Sequence, residues 1–159
     1  MRTLIVYFSL EGNTKYAAEQ LAEKTGADTL RLVPKKAYAD KGFAKFFWGG
    51  KSAIMAEKPE LEPYDIRLSD YDRVVFGFPV WASNFAPPIR SFVTENSDAL
   101  KGKEIFAFAC QAGSGGEKAL SRLSALLGKE FGASAVFTDP LSKKETSGSD
   151  IDAFSKKLL

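Results

Sequence analysis

Histidine is missing altogether from the 159 residues, and cysteine occurs once, as Cys110. The first absence removes the Ser/His and Cys/His pairs that activate most nucleophiles, together with the commonest metal ligand. The second excludes an internal disulfide and suits a reducing compartment. Chemistry must then come from carboxylates, lysine, tyrosine or a bound cofactor, and neither a catalytic side chain nor a metal site is expected. Cys110 closes an apolar run, where a small buried hydrophobe is the expected role rather than a reactive thiol.

An excess of one charge is lacking too. The chain has 22 basic and 20 acidic residues, a net charge of +2, too balanced for a general nucleic-acid or membrane surface. No stretch approaches the ~20 apolar residues of a membrane span, and the N-terminal apolar run is short and without a cleavage-site pattern. The expected location is cytoplasmic. There is no internal repeat, low-complexity tract or linker, and the length suits one domain over residues 1–159.

What is present is an alternation of short apolar runs with helical patterns. Leu4–Phe8, Thr29–Val33, Val74–Phe78, Ile105–Cys110 and Ala133–Phe137 read as five strands. The first, third and fourth are nearly continuous in apolar residues, as in central parallel strands covered on both faces, whereas Thr29-Leu30-Arg31-Leu32 alternates like an edge strand. Pro87-Pro88 opens a helix burying Ile89, Phe92 and Val93. Ser114 to Glu117 fits a capping box, followed by the stripe Leu120, Leu123, Leu127 and a stop at Gly128. A last helix from about Asp150 places Ile151, Phe154 and Leu158 on one face. The pattern predicts a three-layer, doubly wound α/β fold with a five-stranded parallel sheet in the order 2-1-3-4-5. Ligands of such sheets sit at the carboxyl ends of the strands, so the loops after strands one, three and four should carry the site.

Those loops have complementary chemistry. Ser9-Leu10-Glu11-Gly12-Asn13-Thr14 joins the first strand to a helix whose N-terminus offers unpaired N–H groups and a positive dipole end to a phosphate, with Ser9, Asn13 and Thr14 adding side-chain donors. The same residues also suit an ordinary cap, with Asn13 or Thr14 as the N-cap. After the third strand, Pro79-Val80-Trp81-Ala82-Ser83-Asn84-Phe85 offers aromatic rings that can stack on a flat heterocycle, or else cover the core. After the fourth, Cys110-Gln111-Ala112-Gly113-Ser114-Gly115-Gly116 has little side-chain bulk. It is either open backbone for the edge of a ligand ring or a flexible turn before a helix.

With these motifs at those three places, the chain resembles the flavodoxin family, of the short-chain kind, over essentially its whole length; the strand order above is that of flavodoxin. The resemblance implies non-covalent FMN, its phosphate on Ser9, Gly12, Asn13 and Thr14 and its ring against Trp81 and between the two later loops. Two departures stand out. The chain is slightly basic where many flavodoxins are strongly acidic, and Cys110 to Glu117 contains no aromatic, which leaves one flavin face to Phe85 or to an aromatic of the next segment. In the family, a glycine-eased peptide turn in the second loop faces the flavin. Ala82, Ser83 and Asn84 stand there in this chain, and positive φ at a non-glycine residue costs about 1 to 2 kcal/mol, less at asparagine. One-electron chemistry is therefore expected to be less favoured than in specialised one-electron carriers.

Lys35 to Lys51 interleaves Tyr38, Phe43, Phe46, Phe47 and Trp48 with Lys35, Lys36, Lys41, Lys45 and Lys51. It reads as a crossover helix burying its aromatics, or as a basic surface beside the flavin that favours an anionic partner such as NAD(P)H or an acidic redox protein. The acidic stretch from Glu57 to Asp72 is expected nearer the opposite end of the sheet. Three functions follow from the resemblance: an electron carrier between redox partners, an FMN-dependent NAD(P)H:quinone oxidoreductase, or a flavin-free interaction domain on the same fold.

Overall fold

The computed structural model describes residues 1–38 and 57–159. In chain order the elements are β1 (Thr3–Tyr7), α1 (Asn13–Thr25), β2 (Asp28–Arg31), a 3-10 turn (Leu68–Asp70), β3 (Arg73–Trp81), β4 (Asn84–Phe85), α2 (Pro87–Glu95), α3 (Ser97–Leu100), β5 (Glu104–Gln111), α4 (Gly116–Leu127), β6 (Ser134–Thr138) and α5 (Lys144–Lys157). Among the described residues the strands form one sheet in the order β2-β1-β3-β5-β6, with β4 paired only to β3. The five path strands are parallel. Their order is the expected 2-1-3-4-5, and β2 lies at an edge as its alternation predicts.

The continuous apolar runs divide by period two onto both faces of the sheet. Leu4, Val6, Val74, Phe76, Ile105 and Ala107 pack with Ile89 and Phe92 of α2 and Leu120 and Leu123 of α4. Ile5, Tyr7, Val75, Phe106 and Phe108 pack with Ala17, Ala18 and Leu21 of α1 and Ile151 and Phe154 of α5. Burying each large side chain contributes roughly 1.5 to 3 kcal/mol, so both helical layers are held by their apolar stripes. At the centre, Gly77 of β3 pairs in register with Phe108 of β5, and the Phe108 ring lies where a Cβ of residue 77 would be.

Several elements depart from the sequence expectation. β3 runs on through Pro79 to Trp81, and Asn84–Phe85 folds back on it as the extra strand β4, with Val80 opposite Phe85 and Trp81 opposite Asn84. The capping box at Ser114 and Glu117 does not form. Instead Gly115 caps α4 at φ +96° and Gly116 N donates to Gln111 Oε1 at 2.9 Å. α5 begins at Lys144 rather than near Asp150. Its first turn has no apolar stripe to read, and Ser147, buried with its hydroxyl on the Pro140 carbonyl at 3.0 Å, docks it.

The acidic stretch does not begin at the far end of the sheet. Pro34 bridges Leu61, Lys35 N donates to the Glu60 carbonyl at 2.8 Å and Lys35 Nζ reaches Glu60 Oε1 at 3.0 Å, so the stretch starts against the basic segment. Only its end reaches the opposite side, where Arg2 N donates to Asp72 Oδ2 at 3.0 Å. Phe43, Phe46, Phe47, Trp48 and the crossover helix expected there lie outside the described residues.

A strand-end cleft as candidate cofactor site

The loops after β1, β3 and β5 meet at the carboxyl ends of the strands, around a cleft. Ser9, Leu10, Glu11, Asn13, Thr14, Pro79, Val80, Trp81, Ala82, Cys110, Gln111, Ala112 and Asp139 line it. Of the residues singled out in the sequence, Gly12, Ser83, Asn84, Phe85, Gly113, Ser114, Gly115 and Gly116 stand outside the lining. Leu10 and Asp139 line it without having been anticipated. Leu10 shows no functional side-chain chemistry in the sequence, and Asp139 follows the last strand, whose loop carries no motif.

At the β1 loop the cap is built differently from either residue expected for it. Gly12 is the N-cap at φ +106°, and Asn13 and Thr14 already belong to α1. Ser9 Oγ accepts from Gly12 N at 3.2 Å and Lys15 N at 3.1 Å, closing the loop on itself. Arg31 of β2 ties the loop to the sheet edge by donating to the Ser9 carbonyl at 3.1 Å. Asn13 Oδ1 accepts from Leu141 N at 2.9 Å, so one end of this amide anchors the 139–143 loop and the other remains a donor. The N–H groups of Asn13 and Thr14 have no acceptor four residues back within the helix.

Thr14 is 1% exposed, and beyond the Cys110 thiol its buried hydroxyl has no hydrogen-bond partner. Burial pushes the Cys110 thiol up to about 12, against the opposing pull of the Thr14 hydroxyl, so the sulfur is a neutral floor to this corner. A thiol is a poor partner, and a hydroxyl left this way costs free energy. An oxyanion at the start of α1 would relieve that cost and meet the helix dipole at its positive end.

The opposite wall is aromatic. Trp81 is half-buried, edge-on to Phe8 with centroids 5.6 Å apart and to Tyr38 at 5.1 Å. Phe8 and Tyr38 complete the triangle at 5.9 Å. Trp81 thus both rests on the core and lines the cleft, which joins the two readings of it. Phe85 points inward instead, 2% exposed and edge-on to Phe78 at 6.1 Å. The second aromatic at this wall is therefore Tyr38, from the basic-aromatic segment.

Between β3 and β4 the chain turns on two residues. Ala82 has φ +51° and Ser83 φ +58°, so the left-handed backbone falls on these two and not on Asn84. Each costs roughly 1 to 2 kcal/mol relative to an unstrained residue. The third loop is held by Gln111, whose Nε2 donates to Thr138 Oγ1 at 3.2 Å while its Oε1 caps α4. Among the described residues no group of three or more Cys, Asp and Glu is placed to hold a metal ion. Nor is any of their helices long and apolar enough to cross a membrane.

Comparison with known proteins agrees with this fold. A flavoprotein from Lactobacillus acidophilus NCFM, solved in complex with FMN, has a TM-score of 0.74 at 22% identity, covering 89% of this chain and 97% of that one. Two-electron reduced flavodoxin from Megasphaera elsdenii has a TM-score of 0.58 at 17% identity, covering 86% of each chain. Oxidised Flavodoxin 1 from Bacillus cereus has 0.54 at 14% identity, covering 99% of this chain and 96% of that one. A family model described as flavodoxin matches residues 2–144. With the family match over residues 2–144 and the strand order in agreement, the chain belongs to the flavodoxin family.

Proposed function

We propose that the protein binds FMN without a covalent bond in this cleft and carries electrons between redox partners. The observation that carries the proposal is the buried Thr14 hydroxyl, which has no partner beyond a weak thiol at the N-terminus of α1. A phosphate is the group whose chemistry fits that corner, held by Thr14, the donor end of Asn13 and the first N–H groups of the helix. Trp81 would wall the ring, and Ala112 and Gln111 would leave backbone for its edge. Bound FMN supplies reversible one- and two-electron redox chemistry. The residues of the chain bind, orient and shield it, and none is assigned as acid or base.

The expected partner is a redox protein or a small anionic donor. Exposed Lys36 supports an anionic partner, while Lys35 is engaged by Glu60. Titration with FMN, monitored by quenching of flavin fluorescence, followed by anaerobic reduction with and without a partner reductase, tests the proposal. Saturable binding with reduction only through the partner supports the carrier. Unaided turnover of NAD(P)H and a quinone would replace it with an NAD(P)H:quinone oxidoreductase, and absence of FMN binding would leave a flavin-free interaction domain.

A further inference from the structure

The Ala82–Ser83 turn carries strain that its own residues do not relieve. Two-residue hairpin loops with both residues at positive φ ordinarily use Asn-Gly, Asp-Gly or Gly-Gly, and this one uses alanine and serine. Two contacts from α4 bear on it. Arg122 Nη1 donates to the Ser83 carbonyl at 3.3 Å. At the helix start, Gly115 presses so near that a Cβ there would lie 3.0 Å from Ser83 Oγ and 3.1 Å from Ser83 Cα and Val80 Cγ1.

From these contacts we infer that Arg122 is a positioning residue for the ring side of the cofactor site. Through the Ser83 carbonyl it holds the Ala82–Ser83 turn in its left-handed form and so fixes where Trp81 and Ala82 stand in the cleft. Arg122 does not line the cleft and is exposed, so it acts on a ligand only through the turn. A guanidinium suits the task because its planar fork gives direction to the bond, which the point charge of a lysine does not. Close packing at Gly115 supplies the second jaw: any side chain at the helix start would crowd Ser83 and Val80. The inference takes its ligand from the FMN proposal, whereas the hold of Arg122 on the turn stands apart from any ligand.

The test compares wild type, Arg122→Met, Ser83→Gly and the double variant, first without ligand by amide hydrogen exchange and then by titration with FMN and with riboflavin. Arg122 is exposed, so its replacement leaves no core cavity, and Ser83→Gly keeps the carbonyl while removing the φ penalty. Arg122→Met should speed exchange at Ala82, Ser83 and Asn84 by about threefold to tenfold, the value of one such hydrogen bond, with the central strands unchanged. FMN and riboflavin should weaken by a similar factor as each other, because the ring and not the phosphate loses its support. The double variant should recover most of both losses. Unchanged exchange at the turn, a loss confined to FMN, or failure of glycine to restore the double variant would each overturn the inference. If the wild type binds neither flavin, the FMN proposal and the positioning role fall together, and amide exchange alone still decides whether Arg122 holds the turn.

Discussion

Thr14 concentrates the conflict between stability and binding in one side chain. Its hydroxyl is buried against a thiol and has no stronger partner, an arrangement that costs about 1 to 3 kcal/mol unless a ligand satisfies it. Thr14→Val keeps the shape and removes the hydroxyl. It is expected to raise the thermal midpoint of the ligand-free protein, by roughly 1 kcal/mol in stability, while weakening FMN at least tenfold and riboflavin little. Melting curves and paired titrations check this, and equal losses for both flavins would remove the phosphate from this corner. Trp81→Ala should weaken FMN and riboflavin alike, by about threefold to tenfold, since ring stacking is worth ~0.5 to 1.5 kcal/mol.

Cys110 gives a pH signature with a definite sign. Its thiol is held up to about 12 in the folded protein, above the ordinary value of 9.0. Between those values the unfolded chain releases the proton and the folded one keeps it, so stability falls as pH rises from ~9 toward ~12. Urea midpoints across that range should decline less in Cys110→Ala. The native thiol should also resist iodoacetamide at pH 8 and react once the chain is unfolded. The sequence suggested this inert role from an apolar run alone. It contained no sign that Cys110 would sit beside Thr14, because the pair comes from β5 and α1 and meets only through the fold.

Among the elements, β3 shows what a sequence pattern carries and where it stops. Its apolar run marked a central strand over Val74–Phe78, and proline at the rim of a sheet is tolerated where its missing N–H is not needed. The strand continues to Trp81, and the β3–β4 hairpin was illegible because Ala82-Ser83 lacks the Asn-Gly or Gly-Gly signature of such turns. Likewise the start of α5 was missed because Lys144 to Asp150 has no apolar period and contains Gly148, and its docking depends on Ser147 finding a carbonyl. Gly77 is a local feature with a cross-strand cause: a methyl group there would enter the Phe108 ring. Gly77→Ala is expected to destabilise the protein by about 1 to 3 kcal/mol or more, measured by urea unfolding, with Phe108→Ala in the same chain relieving the clash. An additive loss in the double variant would contradict the packing described.

For the whole molecule, strand order and layer assignment were legible because two periodicities alternated cleanly, and the strand-end rule then pointed to the candidate cleft before any side chain was placed. Electrostatics were less legible. The acidic stretch was expected at the far end of the sheet, yet Glu60 reaches Lys35 because the chain after the crossover pairs with Pro34 through Leu61. Charge blocks along a sequence do not report which backbone segments pair. The central claim, an FMN site with its phosphate at the start of α1, makes one quantitative demand: the phosphate must matter. Titrating the purified protein with FMN and with riboflavin under the same conditions measures that directly. One FMN per chain, bound at least tenfold tighter than riboflavin in wild type and with that preference lost in Thr14→Val, is the predicted result. Equal affinities in wild type, or no binding of either flavin, would contradict it.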